Sequence, residues 1–168
     1  VTFRGTVESE LGVTLRDGSA QKWDTTFVPE IEADLGGGWQ LTGIGRIRVD
    51  PVDNLEPGQP ANPQAVRGPL SRRFFVGDAL DAELRELYLD GVVQDAFIRV
   101  GKQQIVWGQA DGLRVLDIVN PFNFREFILP DFEDRRIPLW SVNAEIPVGD
   151  WFAQLIWIPD HTYSRSEE

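Results

Sequence analysis

Gly36-Gly37-Gly38-Trp39-Gln40-Leu41-Thr42-Gly43-Ile44-Gly45-Arg46-Ile47-Arg48-Val49-Asp50 is the stretch that decides the fold class. Successive side chains on a β-strand point to opposite faces, so residues two apart share a face. Trp39, Leu41, Gly43, Gly45, Ile47 and Val49 form one row; Gln40, Thr42, Ile44, Arg46, Arg48 and Asp50 form the other. Only Ile44 breaks the division into an apolar and a polar face. The three glycines ahead of it reach positive φ without steric cost, which predicts a tight reversal from a preceding strand.

The same alternation extends outward in both directions. Val1, Phe3, Gly5, Val7, Ser9 and Leu11 oppose Thr2, Arg4, Thr6, Glu8 and Glu10, and Arg16-Asp17-Gly18-Ser19 supplies a turn. Between Lys22 and Leu35, Phe27, Ile31, Ala33 and Leu35 oppose Thr26, Glu30, Glu32 and Asp34. Asp78–Val93 fits a helical stripe through Leu80, Leu84 and Leu87 as well as a strand through Leu87 and Leu89. Gly91 and the hairpin-like segment Asp95–Gly101 favour the strand. Trp140, Val142, Ala144 and Ile146 make a further row. After the turn at Val148-Gly149-Asp150, Trp151, Ala153, Leu155 and Trp157 oppose Phe152, Gln154, Ile156 and Ile158.

These strands run to about 10 residues, against roughly 5–6 for a globular strand and about 9–11 for one that crosses a bilayer. Seven or eight of them are about enough for a minimal closed barrel. The expected fold is therefore all-β: a single domain over residues 1–168 forming an antiparallel up-and-down transmembrane β-barrel, or the N-terminal part of a larger one. The polar tail His161–Glu168 reads as the start of a loop, which predicts a domain incomplete at its C-terminus. The competing fold is a soluble β-sandwich of long hairpins, whose two apolar faces would meet each other.

Composition narrows the function classes. A net charge of −11 argues against a nucleic-acid partner, because phosphate binding needs a basic face. The absence of cysteine excludes disulfides and thiolate metal sites. No run approaches the roughly 18 apolar residues of a transmembrane helix, whereas barrel strands hide their apolar band by alternation. Of the basic residues only Lys22 and Lys102 are lysine, a bias that suits fixed, hydrogen-bonded positions or reflects codon preference.

Two segments lack a strand period. Pro51–Pro69 is rich in Pro, Gly, Asn and Gln and is expected to be a long loop. Barrels place long loops outside and short turns on the periplasmic side, which would make Gly36–Gly38 periplasmic. Residues 109–137 form a second long loop. Leu113, Leu116 and Val119 suggest a helical turn ending at Asn120-Pro121, and Phe122, Phe124, Phe127 and Ile128 follow among charged groups. Trp39, Trp140, Trp151 and Trp157 sit at strand ends, as a membrane-interface belt requires; ordinary core tryptophans are the other reading.

The block Gly101-Lys102-Gln103-Gln104-Ile105-Val106-Trp107-Gly108, followed by Asp117-Ile118-Val119-Asn120-Pro121, resembles a large family of proteobacterial outer-membrane β-barrel proteins. Its recurring pattern is a Gly-x-Gln step, a Trp-Gly pair and an Asn-Pro pair. Arg99-Val100-Gly101-Lys102-Gln103 is also similar to a strand and turn of porin-like and alginate-export-like barrels. The likeness is strongest from Phe97 to Ile128. It implies an outer membrane of a Gram-negative bacterium, outer-membrane lipid as the surroundings, and an inner-membrane exporter or periplasmic component as partner.

On the strand reading Arg4, Glu8, Glu10, Glu30, Glu32, Arg46, Arg48, Glu86 and Arg99 point into a lumen. Such charges either set up a transverse field that selects solutes or pair into a structural plug. The constriction-loop candidates are Arg114, Asp117, Asn120, Phe122, Arg125, Arg135 and Arg136, unless that loop lies outside. Enzyme chemistry finds little footing. His161 is the only histidine and lies in the tail, so no Ser-His-Asp set can form around a mid-chain histidine. A glycosidase-like carboxylate pair stays open, but carboxylates alternating along strands are more commonly a charged face. Asp111 to Asp117 lacks calcium-loop spacing, and the Gly36–Gly38 turn precedes a strand instead of a phosphate-binding helix. The expected function, with no cofactor and no metal, is an outer-membrane channel or export-associated protein passing small or hydrophobic solutes through a charged lumen. The alternative is a soluble sandwich that binds carbohydrate on exposed tryptophans.

Overall fold

In the computed structural model residues 1–55, 68–106, 119–121 and 136–160 are described. Their strands are β1 (Thr2–Val13), β2 (Ala20–Gly36), β3 (Trp39–Val49), β4 (Phe74–Val76), β5 (Leu80–Val93), β6 (Ala96–Gln103), β7 (Leu139–Val148) and β8 (Trp151–Trp157), with a 3-10 turn at Pro69–Ser71. They form one antiparallel sheet in the order β1-β2-β3-β5-β6-β7-β8, and β4 pairs with the start of β5 beyond the end of β6. The sheet is a meander, and it is open: β1 and β8 are its edges and do not pair with each other. The barrel expectation therefore holds as far as an all-β antiparallel sheet, and closure is not part of the described structure.

The alternating rows fix the register, because a slip by one residue would carry every apolar side chain to the polar face. Phe3 stands opposite Ile31, Ile31 opposite Gly43, and Gly43 opposite Leu87. Asp78–Val93, ambiguous between helix and strand, is strand from Leu80 onward. Its helical spacing of leucines coincides with an irregularity in the β3–β5 register at Ile44/Gly45, which shifts the row from Leu84 to Leu87. The long loop expected over Pro51–Pro69 gives way at its end to ordered structure, since Pro69–Ser71 and the short β4 pack against the sheet.

Connections sort by length. Gly37-Gly38, Gln94-Asp95 and Gly149-Asp150 make two-residue reversals at one end of the sheet, and the long connections β3–β5 and β6–β7 lie at the other. Gly37 and Gly38 both have positive φ (64° and 81°), as a tight hairpin matched to strand twist demands. The β1–β2 turn, at the long-connection end, is held by Asp17, whose carboxylate accepts from the Ser19 amide and hydroxyl. Those two bonds favour the charged form and hold the Asp17 carboxyl below its ordinary value.

Candidate functional site: a charged sheet face opposite an apolar one

Burial on this sheet is inverted relative to a water-soluble fold. Phe3, Val7, Leu155 and Trp157 are 61–68% exposed, while Asp81, Arg48, Arg73 and Glu83 are 2–8% exposed. Large apolar side chains ordinarily fill the core and charged ones are rarely buried unless paired. Here the apolar row is open along almost every strand, and the polar row is where side chains close over one another. No helix among the described residues is long and apolar enough to cross a membrane, which says nothing of crossing with strands.

The buried charges pair. On the half of the polar face nearest the long connections, Arg48 donates through Nε and Nη2 to Asp24 Oδ2 at 3.1 and 2.6 Å. Lys22 approaches the same carboxylate at 3.6 Å. Arg46 reaches Glu83 at 3.0 Å, Arg85 reaches it at 3.3 Å, and Arg73 bonds Asp81 at 2.5 Å. The Arg73 guanidinium also lies 4.7 Å from the centre of the Phe75 ring. Removing two ions from water is tolerated only with good geometry and further hydrogen bonds; the Arg48 fork on Asp24 supplies both, whereas Arg46 Nε and Asp81 Oδ1 are buried without a hydrogen bond.

The other half of the face, toward the short turns, stays wetter. Arg4 bridges Glu30 at 3.7 Å and Glu32 at 2.9 Å, and its side chain is 59% exposed. Arg99 meets Asp90 at 3.4 Å and lies over the Tyr88 ring at 4.2 Å, with its side chain 29% exposed. Glu8, in register with Thr26 and Arg48 in the other half, is nonetheless exposed on the edge strand β1, and Glu86, opposite Ile44 at mid-sheet, accepts from Gln104 at 3.0 Å. The expected lumen positions thus all share the polar face. They divide into packed charges, Arg46 and Arg48, and charges still open to solvent, Arg4, Glu8 and Arg99.

The Gly101–Val106 block turns out to be a brace. Gly101 has φ +137°, and a Cβ there would lie 2.1 Å from the Leu87 carbonyl oxygen, so β5 and β6 approach as only glycine allows. Lys102 donates to the Leu84 carbonyl at 2.6 Å, and the buried Gln103 amide donates to the Arg99 and Ser141 carbonyls. Asn120 is fully buried. Its oxygen accepts from the Ile105 amide at 2.7 Å and its nitrogen donates to the Ile137 carbonyl at 3.0 Å. The Pro121 carbonyl accepts from the Ile137 amide at 2.8 Å. Asn120 therefore ties the end of β6 to the approach of β7. Of the other constriction-loop candidates, Arg136 is half-buried at the foot of β7. Arg114, Asp117, Phe122, Arg125 and Arg135 lie outside the described residues, as does the helical turn expected near Leu113.

The tryptophans lie toward the ends of the sheet. Trp39 packs over Gly91, where a Cβ would come within 2.6 Å of the indole. Trp140 donates its indole N–H to the Leu70 carbonyl at 2.9 Å, and Trp151 and Trp157 stand exposed at opposite ends of β8. Trp23, which was not singled out, joins the apolar face opposite Leu11 and donates to Ser9 at 3.2 Å. Asp24, Asp81 and Glu83 were also missed. Their parity in the alternating rows was the available signal, whereas Arg73 sits in a stretch with no period to read.

Among the described residues no group of three or more His, Cys, Asp or Glu side chains converges to hold a metal ion. No curated protein and no solved structure matches the chain. Residues 52–155, which enclose both the Gly101–Gly108 and the Asp117–Pro121 blocks, match the family described as "Protein of unknown function (DUF1302)". That span is more than half of the chain, and the chain belongs to this family.

Proposed function

We propose that this chain is part of an outer-membrane β-barrel that passes small or hydrophobic solutes along its charged face, with lipid against its apolar face. The inverted burial carries the reading: paired charges are packed on one side while Phe3, Val7, Leu155 and Trp157 stand open on the other. Lipid is the solvent in which that distribution is favourable. Strand length agrees. The 11 residues of β3, at about 3.3 Å each and tilted by about 40°, rise roughly 28 Å, enough to span a barrel's apolar band of about 25 Å. Tryptophans toward both ends of the sheet fit an interfacial belt. The sandwich alternative would need a second sheet over the apolar face, and the described strands make one sheet.

Closure is constrained by strand direction. Six antiparallel steps separate β1 from β8, so the two edges run the same way. They cannot close on each other antiparallel. Neither can two copies related by an axis along the membrane normal, because β8 would meet a partner β1 running parallel to it. An antiparallel barrel built on this sheet therefore takes an odd number of further strands.

The test is detergent extraction and then conductance of the full-length protein in a planar bilayer. Discrete current steps whose ion selectivity shifts in Arg4→Ala and Arg99→Ala are the expected result. A protein recovered in the soluble fraction without detergent would overturn the membrane reading, and an inserted but silent one would overturn the channel.

A further inference from the structure

β3 and β5 run the full height of the sheet, but β6 stops halfway. Its Lys102 stands opposite Leu87, and Leu87 opposite Gly43, one residue from the middle of the 11-residue β3. From Leu87 toward the long-connection end, β5 continues through Glu86 to Leu80. The place beside it that β6 gives up is taken by another part of the chain. β4 pairs with β5 at Leu80–Ala82, Pro69–Ser71 packs on β7, and the Leu70 carbonyl accepts the Trp140 indole N–H. The chain leaving β6 thus finds the plane of the sheet filled, and it steps off one face.

Gln104 shows which face. Its side-chain amide donates to Glu86 Oε1 at 3.0 Å, and Glu86 lies opposite Ile44, in the polar row at the centre of β3. The next residue, Ile105, is 5% exposed. Its amide goes to Asn120, which in turn donates to the carbonyl of Ile137, where the chain returns to the sheet. The Ile137 amide is closed by the Pro121 carbonyl. Outgoing and returning chain are therefore tied together beside the charged face, at the level of the middle of β3. Over the two strand steps from β3 to β6, at about 4.8 Å each, a tilt of about 40° moves that level by about 6 Å, well inside a band of about 25 Å. Irregular backbone at such depth is not left facing lipid; it is tolerated where protein buries it or where it borders water.

We infer that Gln104–Val106, with Asn120, Pro121 and Ile137, form a shelf that projects from the wall into the lumen at mid-height, and that Gln104 and Glu86 are the side chains a solute meets where the shelf narrows its path. The inference rests on the channel reading above. Its test is single-cysteine labelling of the full-length protein in planar bilayers, since none of these 168 residues is cysteine. A water-soluble methanethiosulfonate should react with Gln104→Cys and lower each current step. Val106→Cys, exposed just beyond Ile105, serves if that variant does not fold. Reaction at Thr6→Cys, exposed on the polar row of β1 away from the shelf, should lower the steps less, and Ile31→Cys on the apolar face should not react. If Gln104→Cys and Val106→Cys react only with a lipid-soluble maleimide, or react with no more effect on the steps than Thr6→Cys, the shelf is overturned and the channel stands. Recovery of the protein without detergent, or an embedded protein with no current steps, removes the channel reading instead, and this inference with it.

Discussion

Ile31→Arg separates lipid from water on the apolar face by a free energy large enough to measure. Ile31 is 44% exposed and pairs with Gly43, one residue from the middle of the 11-residue β3, so it lies near the midplane of the proposed band. An arginine at the midplane of a barrel's lipid face costs about 2–4 kcal/mol, falling to about 0–1 at the interfaces. That corresponds to roughly a 30- to 1000-fold change in the unfolding constant. On a face open to water, the same exposed substitution should stay within about 0.5 kcal/mol. Ile31 also covers Gly43, whose missing Cβ would lie 3.0 Å from Ile31 Cγ2, so some of any loss is packing. Ile31→Gln supplies that part, and the difference between the Arg and Gln variants isolates the charge. Leu41→Arg, two residues from Trp39, should cost less than Ile31→Arg, and Trp151→Arg least of all. The assay is reversible guanidinium unfolding of the full-length protein in phospholipid vesicles, monitored by tryptophan fluorescence. If Ile31→Arg inserts and unfolds like Ile31→Gln, the apolar face does not meet lipid.

Asn120→Ala leaves the Ile105 amide and the Ile137 carbonyl without their buried partner, so it should cost about 2–4 kcal/mol in the same unfolding assay. Gly101→Ala sets a Cβ against the Leu87 carbonyl and strains a positive φ, and it should abolish the β5–β6 pairing, read as loss of heat-modifiable gel mobility. The depressed Asp17 carboxyl stabilises the β1–β2 turn above its ordinary value of 3.8, and that contribution is lost as pH falls through the lower folded value. Acid should therefore shift the Ser19 amide resonance in wild type, and Asp17→Asn should abolish this pH dependence.

Alternation made most of the sheet legible. Where one face is apolar and the other charged, as from Trp39 to Val49, the side-chain period dictates strand, register and face together. What escaped was whatever lacks a period. Phe74–Val76 is too short to alternate convincingly, yet it brings Arg73 to Asp81 and so completes the ion cluster. Asn120 reads in the sequence as a constriction-loop candidate at the end of a helical turn, whereas its side chain bridges the Ile105 amide and the Ile137 carbonyl. Lys102 and Gln103 stand out in the sequence only as part of the block that carries the family resemblance, and their side chains are spent on backbone carbonyls of β5, β6 and β7. Pairing of this kind depends on three-dimensional neighbours and leaves no mark in spacing.

The division of the charged face bears on how a solute would be selected. The Asp24–Arg48, Glu83–Arg46 and Asp81–Arg73 contacts are already buried in an open sheet, so their burial does not depend on barrel closure. Side chains closed over one another have little surface to offer a passing ion, and removing one partner leaves the other charge buried and uncompensated, which costs about 3–5 kcal/mol. Arg46→Ala and Arg48→Ala should therefore act chiefly on folding. Arg4, with most of its side chain in solvent, and Arg99, held over Tyr88 but still open, can meet a solute with little loss of structure, because exposed ion pairs contribute only about 0–1 kcal/mol. Around the sheet the charge is also one-sided: the polar face of β7 and β8 carries Ser141, Asn143, Gln154 and Ile156, with Glu145 as its one charge among those strands. On the proposed channel reading, selectivity would belong to Arg4 and Arg99, and the packed arginine-rich half would act as the frame that holds the strands in register.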